Sequence, residues 1–86
     1  MVVAYKILMD KISRSQWQFW KEVGIKPNRI VLSKDLHSLL LTNAEKLLFQ
    51  DMTERGIILS MQIDVDYERT SYMAIGYIKE INNGLE

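Results

Sequence analysis

The sequence contains no cysteine, which excludes a disulfide framework, thiolate metal sites and a cysteine nucleophile. Glycine is scarce, and its four positions, 24, 56, 76 and 84, do not fit a Walker loop, a dinucleotide-binding fingerprint or a G-x-S-x-G nucleophile elbow. There is one histidine, His37. A hydrolase hypothesis would rest on His37 with Ser33 one helical turn before it, so we predict a protein that is not an enzyme and needs no cofactor.

The sequence also lacks an excess of charge of either sign. Eleven basic and eleven acidic residues give a formal net charge of zero, whereas nucleic-acid-binding domains carry a basic excess on one face. Nucleic acid is therefore disfavoured as the main partner. The apolar start, residues 1–9, is interrupted by Lys6, has no basic leader and is shorter than a membrane span of about 20 residues. These absences predict a soluble cytoplasmic protein without membrane contact.

Apolar residues are plentiful, at 48% of 86 residues, so we expect one folded domain over residues 1–84. Leu85 and Glu86 are interpreted as a cloning remnant from their position at the C-terminus. Residues 3–23 place apolar side chains, Trp20 among them, on one side at helical spacing, and Gly24 supplies a stop. Ser13 and Gln16 have the spacing of a capping box, so either one helix or two helices broken at Ser13 fit this stretch.

A strand followed by a helical stretch is predicted next. Residues 29–32 are rich in β-branched side chains and suit a short strand. Ser33 is then a candidate helix N-cap, and leucines recur at helical spacing over 34–54 with a possible break at Thr42. Gly56 is the expected end of this helical stretch.

Residues 56–80 show the spacing of a β-hairpin. From Ile57 to Tyr67 apolar and polar residues alternate, and residues 72–81 would return as the partner strand. Both faces of the returning strand are apolar, so its buried face stays undetermined. We predict an α+β fold of order α-β-α-β-β, with a small three-stranded, mainly antiparallel sheet packed against two or three helices.

Three carboxylates, Asp64, Asp66 and Glu68, lie at alternate positions of the predicted strand. Hard cations such as calcium take several carboxylate oxygens, which makes these residues weak metal candidates. A straight strand cannot wrap an ion, however, and the glycine of a calcium-binding loop is missing. A solvated face that discourages edge-to-edge aggregation is the favoured interpretation.

Several large apolar residues fall outside the predicted core stripes. Trp17 projects off the apolar side of a single first helix, whereas a break at Ser13 would turn it into the core. Phe49 is off the leucine stripe of its helix, and Tyr72 and Ile78 lie on the second face of the returning strand. Trp17, Phe49, Tyr72 and Ile78 are therefore the candidate partner-binding residues, for a protein partner or for self-association.

Part of the chain resembles a known group of proteins. The segments concerned are I-K-P-N-R-I-V-L-S at 25–33, a leucine-rich helix, Gly56, M-Q-I-D-V-D at 61–66 and Y-M-A-I-G at 72–76. Together they look like small uncharacterised phage and prophage proteins and are more distantly similar to the C-terminal part of tailed-phage major capsid subunits. The chain lacks the long spine helix and N-terminal arm of those subunits, so no capsid-forming role carries over. The resemblance implies a bacterial host cell or a virion as the location.

Two functional hypotheses follow. The first is a non-enzymatic protein of phage or prophage origin that acts through protein contacts, as an assembly or accessory factor or as a homo-oligomer. The alternative is a metal- or nucleic-acid-binding regulator that uses the acidic strand face or the dispersed basic residues.

Overall fold

The structure, a computed structural model, describes residues 3–79. Its elements in chain order are α1 (Val3–Val23), β1 (Arg29–Ser33), α2 (Lys34–Asn43), α3 (Lys46–Gln50), a π-helical turn (Asp51–Arg55), β2 (Ile57–Ile58), β3 (Met61–Asp66) and β4 (Met73–Gly76). The predicted α+β class is confirmed, with a mixed sheet of four strands in place of three. Residues 85–86, interpreted as a cloning remnant, lie outside the described residues. No described helix is long and apolar enough to cross a membrane.

The strand order is β2-β3-β1-β4, so the predicted hairpin between the two last strands is wrong. β1 lies between them, parallel to β3 and antiparallel to β4. The apolar run of β1 is typical of an interior strand, and its residues Ile30 and Leu32 are fully buried. Pattern alone does not show which strands are neighbours, since alternation reports a face and not a partner.

The antiparallel hairpin forms inside the stretch that alternation predicts as one strand. The chain turns back at Leu59 and Ser60, which join β2 to β3 and have φ values of 48° and 67°. Positive φ at both central residues is the signature of a type I′ turn, the two-residue turn whose twist matches that of the flanking strands. Leucine and serine are uncommon at positive φ, so the sequence pattern does not predict this turn.

One face of the sheet carries the core. Tyr5, Leu8 and Ile12 of α1 and Leu40 of α2 pack with β1 and with Ile58 and Met61 of the β2–β3 hairpin. The buried face of β4 is now determined, because Met73 and Ile75 lie in register with Leu32 and Ile30 and pack against this core. Ala74 and Gly76 therefore share the opposite face with Val31 and Arg29.

The helices end where the sequence predicts. α1 is one continuous helix without a break at Ser13, and Gly24 follows it with φ 83°. The helical stretch after Ser33 is interrupted at Ala44 and Glu45, close to the predicted break at Thr42. Gly56 ends the π-helical turn in the left-handed region at φ 65°, with its N–H bonded to the Asp51 carbonyl. Ser33 occupies the predicted N-cap position, but its side chain makes no capping hydrogen bond.

Candidate protein-binding surface

Three of the four candidate partner-binding residues are exposed. Trp17 is 60% exposed, and Phe49 and Ile78 are also classed as exposed. Tyr72 is half-buried, because the Arg69 guanidinium stacks 4.2 Å from the centre of its ring. The continuous α1 decides the position of Trp17 in favour of the surface.

The structure does not bring these four residues into one site. Tyr72 and Ile78 flank the two ends of β4, six residues apart in a nearly extended chain, which is about 20 Å. The backbone of Ile78 is held by Asn28, whose side-chain amide donates to the Ile78 carbonyl and accepts from its N–H, both at 2.9 Å. Phe49 lies on α3 and does not line the groove that contains Trp17. Trp17 lines a groove together with the second tryptophan, Trp20.

That groove lies between α1 and the β2–β3 turn and has a volume of about 350 Å³. We call it the tryptophan groove, and its lining residues are Ser13, Gln16, Trp17, Trp20, Lys26, Leu59 and Ser60. The Gln16 side-chain amide donates a hydrogen bond of 2.7 Å to the Leu59 carbonyl and so ties the helix to the turn. The groove is therefore built by two elements that a specific contact holds together.

A lysine ammonium lies over the ring of each tryptophan in the groove. The Lys21 ammonium lies 5.2 Å from the Trp17 ring centre, and the Lys26 ammonium lies 5.7 Å from that of Trp20. Both distances are within the range of a cation–π attraction, worth about 0.5–1 kcal/mol at exposed sites. The surface thus combines large flat apolar area with two positive charges.

The exposure of Trp20 corrects the prediction that this residue faces the core. Helical spacing assigns Trp20 to the apolar side of α1, but the residue is 49% exposed. The last fully buried residue of α1 is Ile12, and none of the residues after it in the helix is classed as buried. The sheet is too small to cover a helix of 21 residues along its whole length. Leu59 is missed for another reason, because only the unpredicted turn between β2 and β3 brings it to the helix. Lys26 belongs to the loop that follows α1 directly.

A second groove, of about 450 Å³, lies on the other side of α1. Its walls are α1 and the outer edge of β4, and we call it the edge groove. The residues that line it are Arg14, Ser15, Gln18, Phe19, Glu22, Met73, Ala74 and Ile75. No described strand pairs with the outer edge of β4.

The three carboxylates of the weak metal candidate are not gathered around a point. Asp64 pairs with Arg29 across the sheet at 3.2 Å, and Asp66 accepts hydrogen bonds from the backbone N–H groups of Glu68 and Arg69. Glu68 lies beyond the end of β3. Within residues 3–79, no group of three acidic, histidine or cysteine side chains is close enough to hold a metal ion. The acidic residues of β3 instead make ion pairs and turn contacts.

The side chains of Ser33 and Asp35, close to His37 in sequence, both bond to the loop before β4. The Ser33 hydroxyl is fully buried and accepts a 3.0 Å hydrogen bond from the Tyr72 N–H, while the Asp35 carboxylate accepts from the Ser71 N–H at 3.1 Å. Hydrogen bonding with Ser33 and then with the Ser71 backbone lowers the pKa of Asp35. These contacts fasten the loop before β4 to the start of α2, which is a structural role.

His37 is expected to make stability depend on pH. Burial lowers the pKa of His37 below its ordinary value of 6.5, so the unfolded chain binds the proton more tightly than the folded one. Stability should therefore fall as the pH drops from about 7 to about 5, while the contribution of Asp35, whose pKa is lowered from 3.8, is lost only at lower pH. Urea unfolding of the protein and of H37Q across that interval checks this. The substitution should flatten the profile, and an unchanged slope would contradict the assignment.

Comparison with known proteins adds no relative. No protein-family model, no curated protein and no solved structure matches the chain. The resemblance to phage and prophage proteins accordingly stays a prediction.

Proposed function

We propose that this is a non-enzymatic protein that acts by binding another protein through the tryptophan groove. The observation that carries the proposal is the pair Trp17 and Trp20, which are 60% and 49% exposed and line one groove. Tryptophan is enriched among the residues that contribute most to protein binding, because it buries a large area with few rotatable bonds. Two such residues side by side are costly to leave in water unless a partner covers them.

The charges around the groove indicate which kind of partner segment it would bind. Lys21 and Lys26 lie over the two rings, so a partner that inserts an apolar side chain between the rings meets positive charge at the rim. Charge complementarity then favours an apolar segment flanked by carboxylates. An assembly or accessory role in a phage or prophage context, as the sequence resemblance implies, fits a small binding protein of this kind.

Nucleic acid is the second class of partner with which a tryptophan–lysine surface is compatible, through stacking of bases on the rings. Two lysines are a small electrostatic footprint, and the formal net charge of the chain is zero. Binding to a phosphate backbone relies on many neutralised phosphates. The observations therefore favour a protein as the partner. The experiment must distinguish a protein partner from a nucleic acid.

Photo-crosslinking from position 13, which lines the groove beside Trp17 and leaves both tryptophans in place, is done in cells that encode the protein. Reconstitution with the captured protein in purified form then tests the proposal. W17A is expected to weaken the reconstituted complex at least about tenfold by calorimetry, as for a central interface residue. Y67A is the matched control, because Tyr67 is 74% exposed and also carries a lysine, with the Lys34 ammonium 6.0 Å from its ring centre. It should change the affinity less than about twofold.

The two tryptophans are the only ones in the sequence, so their emission reports on this groove directly. Binding of the partner should shift the emission to shorter wavelength, since the rings leave water. Equal weakening by W17A and Y67A would show that the groove is not the binding surface. A salt-sensitive emission change with an oligonucleotide, and none with the captured protein, would replace the proposal with nucleic-acid binding.

A further inference from the structure

Among residues 3–79, no strand pairs with the outer edge of β4. Natural sheets guard their edges with charged side chains, proline, bulges or very short strands, since a bare edge pairs with other strands. β3 has such guards, with Asp64 and Asp66 near its free end and the two-residue β2 along its start. β4 consists of Met73, Ala74, Ile75 and Gly76 and carries no charge and no proline.

Some backbone N–H and C=O groups of β4 point away from β1. The carbonyls of Tyr72 and Gly76 accept hydrogen bonds from Ser33 and Asn28 on the β1 side, at 2.9 and 3.1 Å. Because successive peptide groups of a strand point to opposite sides, those of Met73 and Ile75 point outward. No described residue takes up these groups in a strand pairing.

The helix wall of the edge groove carries charges of opposite sign at its two ends. Arg14 and Glu22 are two turns apart on α1, about 12 Å along its axis, with Gln18 between them. Within residues 3–79, each makes an exposed contact in its own helix, Arg14 with Asp10 at 2.8 Å and Glu22 as acceptor from Gln18. Contacts of this kind contribute little to stability and are free to rearrange.

We propose that two copies of the chain pair through the outer edges of their β4 strands to form a dimer with one continuous eight-stranded sheet. A two-fold axis beside Ala74 sets Met73 opposite the partner's Ile75 and allows about four backbone hydrogen bonds. The same axis runs the two α1 helices antiparallel, which places Arg14 near the partner's Glu22 and Glu22 near the partner's Arg14. An edge that is complementary to itself in backbone, apolar surface and charge fits a second copy better than an unrelated strand.

This dimer surface is separate from the tryptophan groove, which lies on the other side of α1. Binding of a partner protein and self-association are therefore independent of each other. W17A should leave the dimer intact, and blocking the β4 edge should leave the tryptophan groove open.

A single cysteine tests the pairing directly, because the sequence has no cysteine of its own. In the proposed register Ala74 faces its own copy as a non-hydrogen-bonded pair, with Cα atoms about 4.5 Å apart, which is within disulfide range. Under mild oxidation A74C should become a covalent dimer of twice the 10.1 kDa chain mass. Q62C is the matched control, because Gln62 is exposed on the same face of the sheet but two strands away. It should cross-link at least about tenfold more slowly.

Light scattering and sedimentation of the unaltered chain over a concentration series complete the test. A dimer is expected, weakened about tenfold by E22R and restored by R14E/E22R, since the double exchange returns opposite charges to each contact. A chain that stays monomeric at all concentrations overturns the proposal. So does a dimer in which A74C and Q62C cross-link at the same rate, because that dimer would use another surface.

Discussion

Replacing Ile12 by alanine is expected to lower the free energy of unfolding by about 2–5 kcal/mol. Ile12 is 0% exposed and packs where α1 meets the sheet, so truncation removes apolar contacts and leaves a cavity. The total stability of a domain of this size is roughly 4–13 kcal/mol. A single substitution would therefore remove a large part of it, and urea unfolding followed by circular dichroism measures the loss.

The matched control for this change is I7A. Ile7 lies on the same helix but is 63% exposed, so the same change of side chain removes few contacts. Alanine is also the better helix former, and I7A should leave stability within about 0.5 kcal/mol or raise it slightly. Equal losses for I12A and I7A would mean that α1 does not pack on the sheet as described.

Exchanging Leu59 and Ser60 for asparagine and glycine is expected to raise the free energy of unfolding by about 1–2 kcal/mol. Both residues are held at positive φ, a region that costs non-glycine residues roughly 1–2 kcal/mol each. Asn-Gly is the preferred pair for a type I′ turn, so L59N/S60G keeps the backbone and removes part of this cost, because glycine adopts positive φ freely and asparagine tolerates it better than leucine. The midpoint and slope of urea unfolding should show a higher midpoint at unchanged slope.

The opposite change at the same turn supplies the control. L59V puts a β-branched side chain at positive φ, where it clashes with its own backbone, and stability should fall. The Leu59 carbonyl that accepts from Gln16 belongs to the backbone, so neither variant removes that acceptor. If L59N/S60G lowered stability and L59V raised it, the turn would not have the described conformation.

The sequence predicts the helices better than the sheet. Gly24 and Gly56 end helical stretches as expected, because the left-handed conformation after a helix is a local requirement that one residue meets. The neighbours of β1 are not local, since Arg29 pairs with Gln62 and with Gly76. A hidden turn at Leu59 adds to the difficulty, because its residues are not those that type I′ turns prefer.

For the candidate surface too, the sequence predicts local features and does not predict contacts between distant segments. Trp17 is recognisable from helical spacing once α1 is continuous, because its position off the apolar side is a local property. Trp20 is not, since its exposure depends on how far the sheet reaches beneath the helix. Phe49, Tyr72 and Ile78 are each placed off a core stripe by the pattern, but a common site requires their elements to meet in space. The edge groove likewise cannot be predicted from the sequence, because it depends on the strand order.

The central position of β1 has a consequence for how the chain folds during synthesis. Both neighbours of β1, β3 and β4, come later in the chain, after α2, α3 and β2. Its buried residues Ile30 and Leu32 therefore have no strand partners until β3 and β4 have been synthesised. Pairing across such sequence distances is intrinsically slow, because the entropy of closing the loop is lost before contacts form. The nascent chain should thus hold an early α1 and an unpaired apolar strand, a state whose exposed apolar surface favours aggregation.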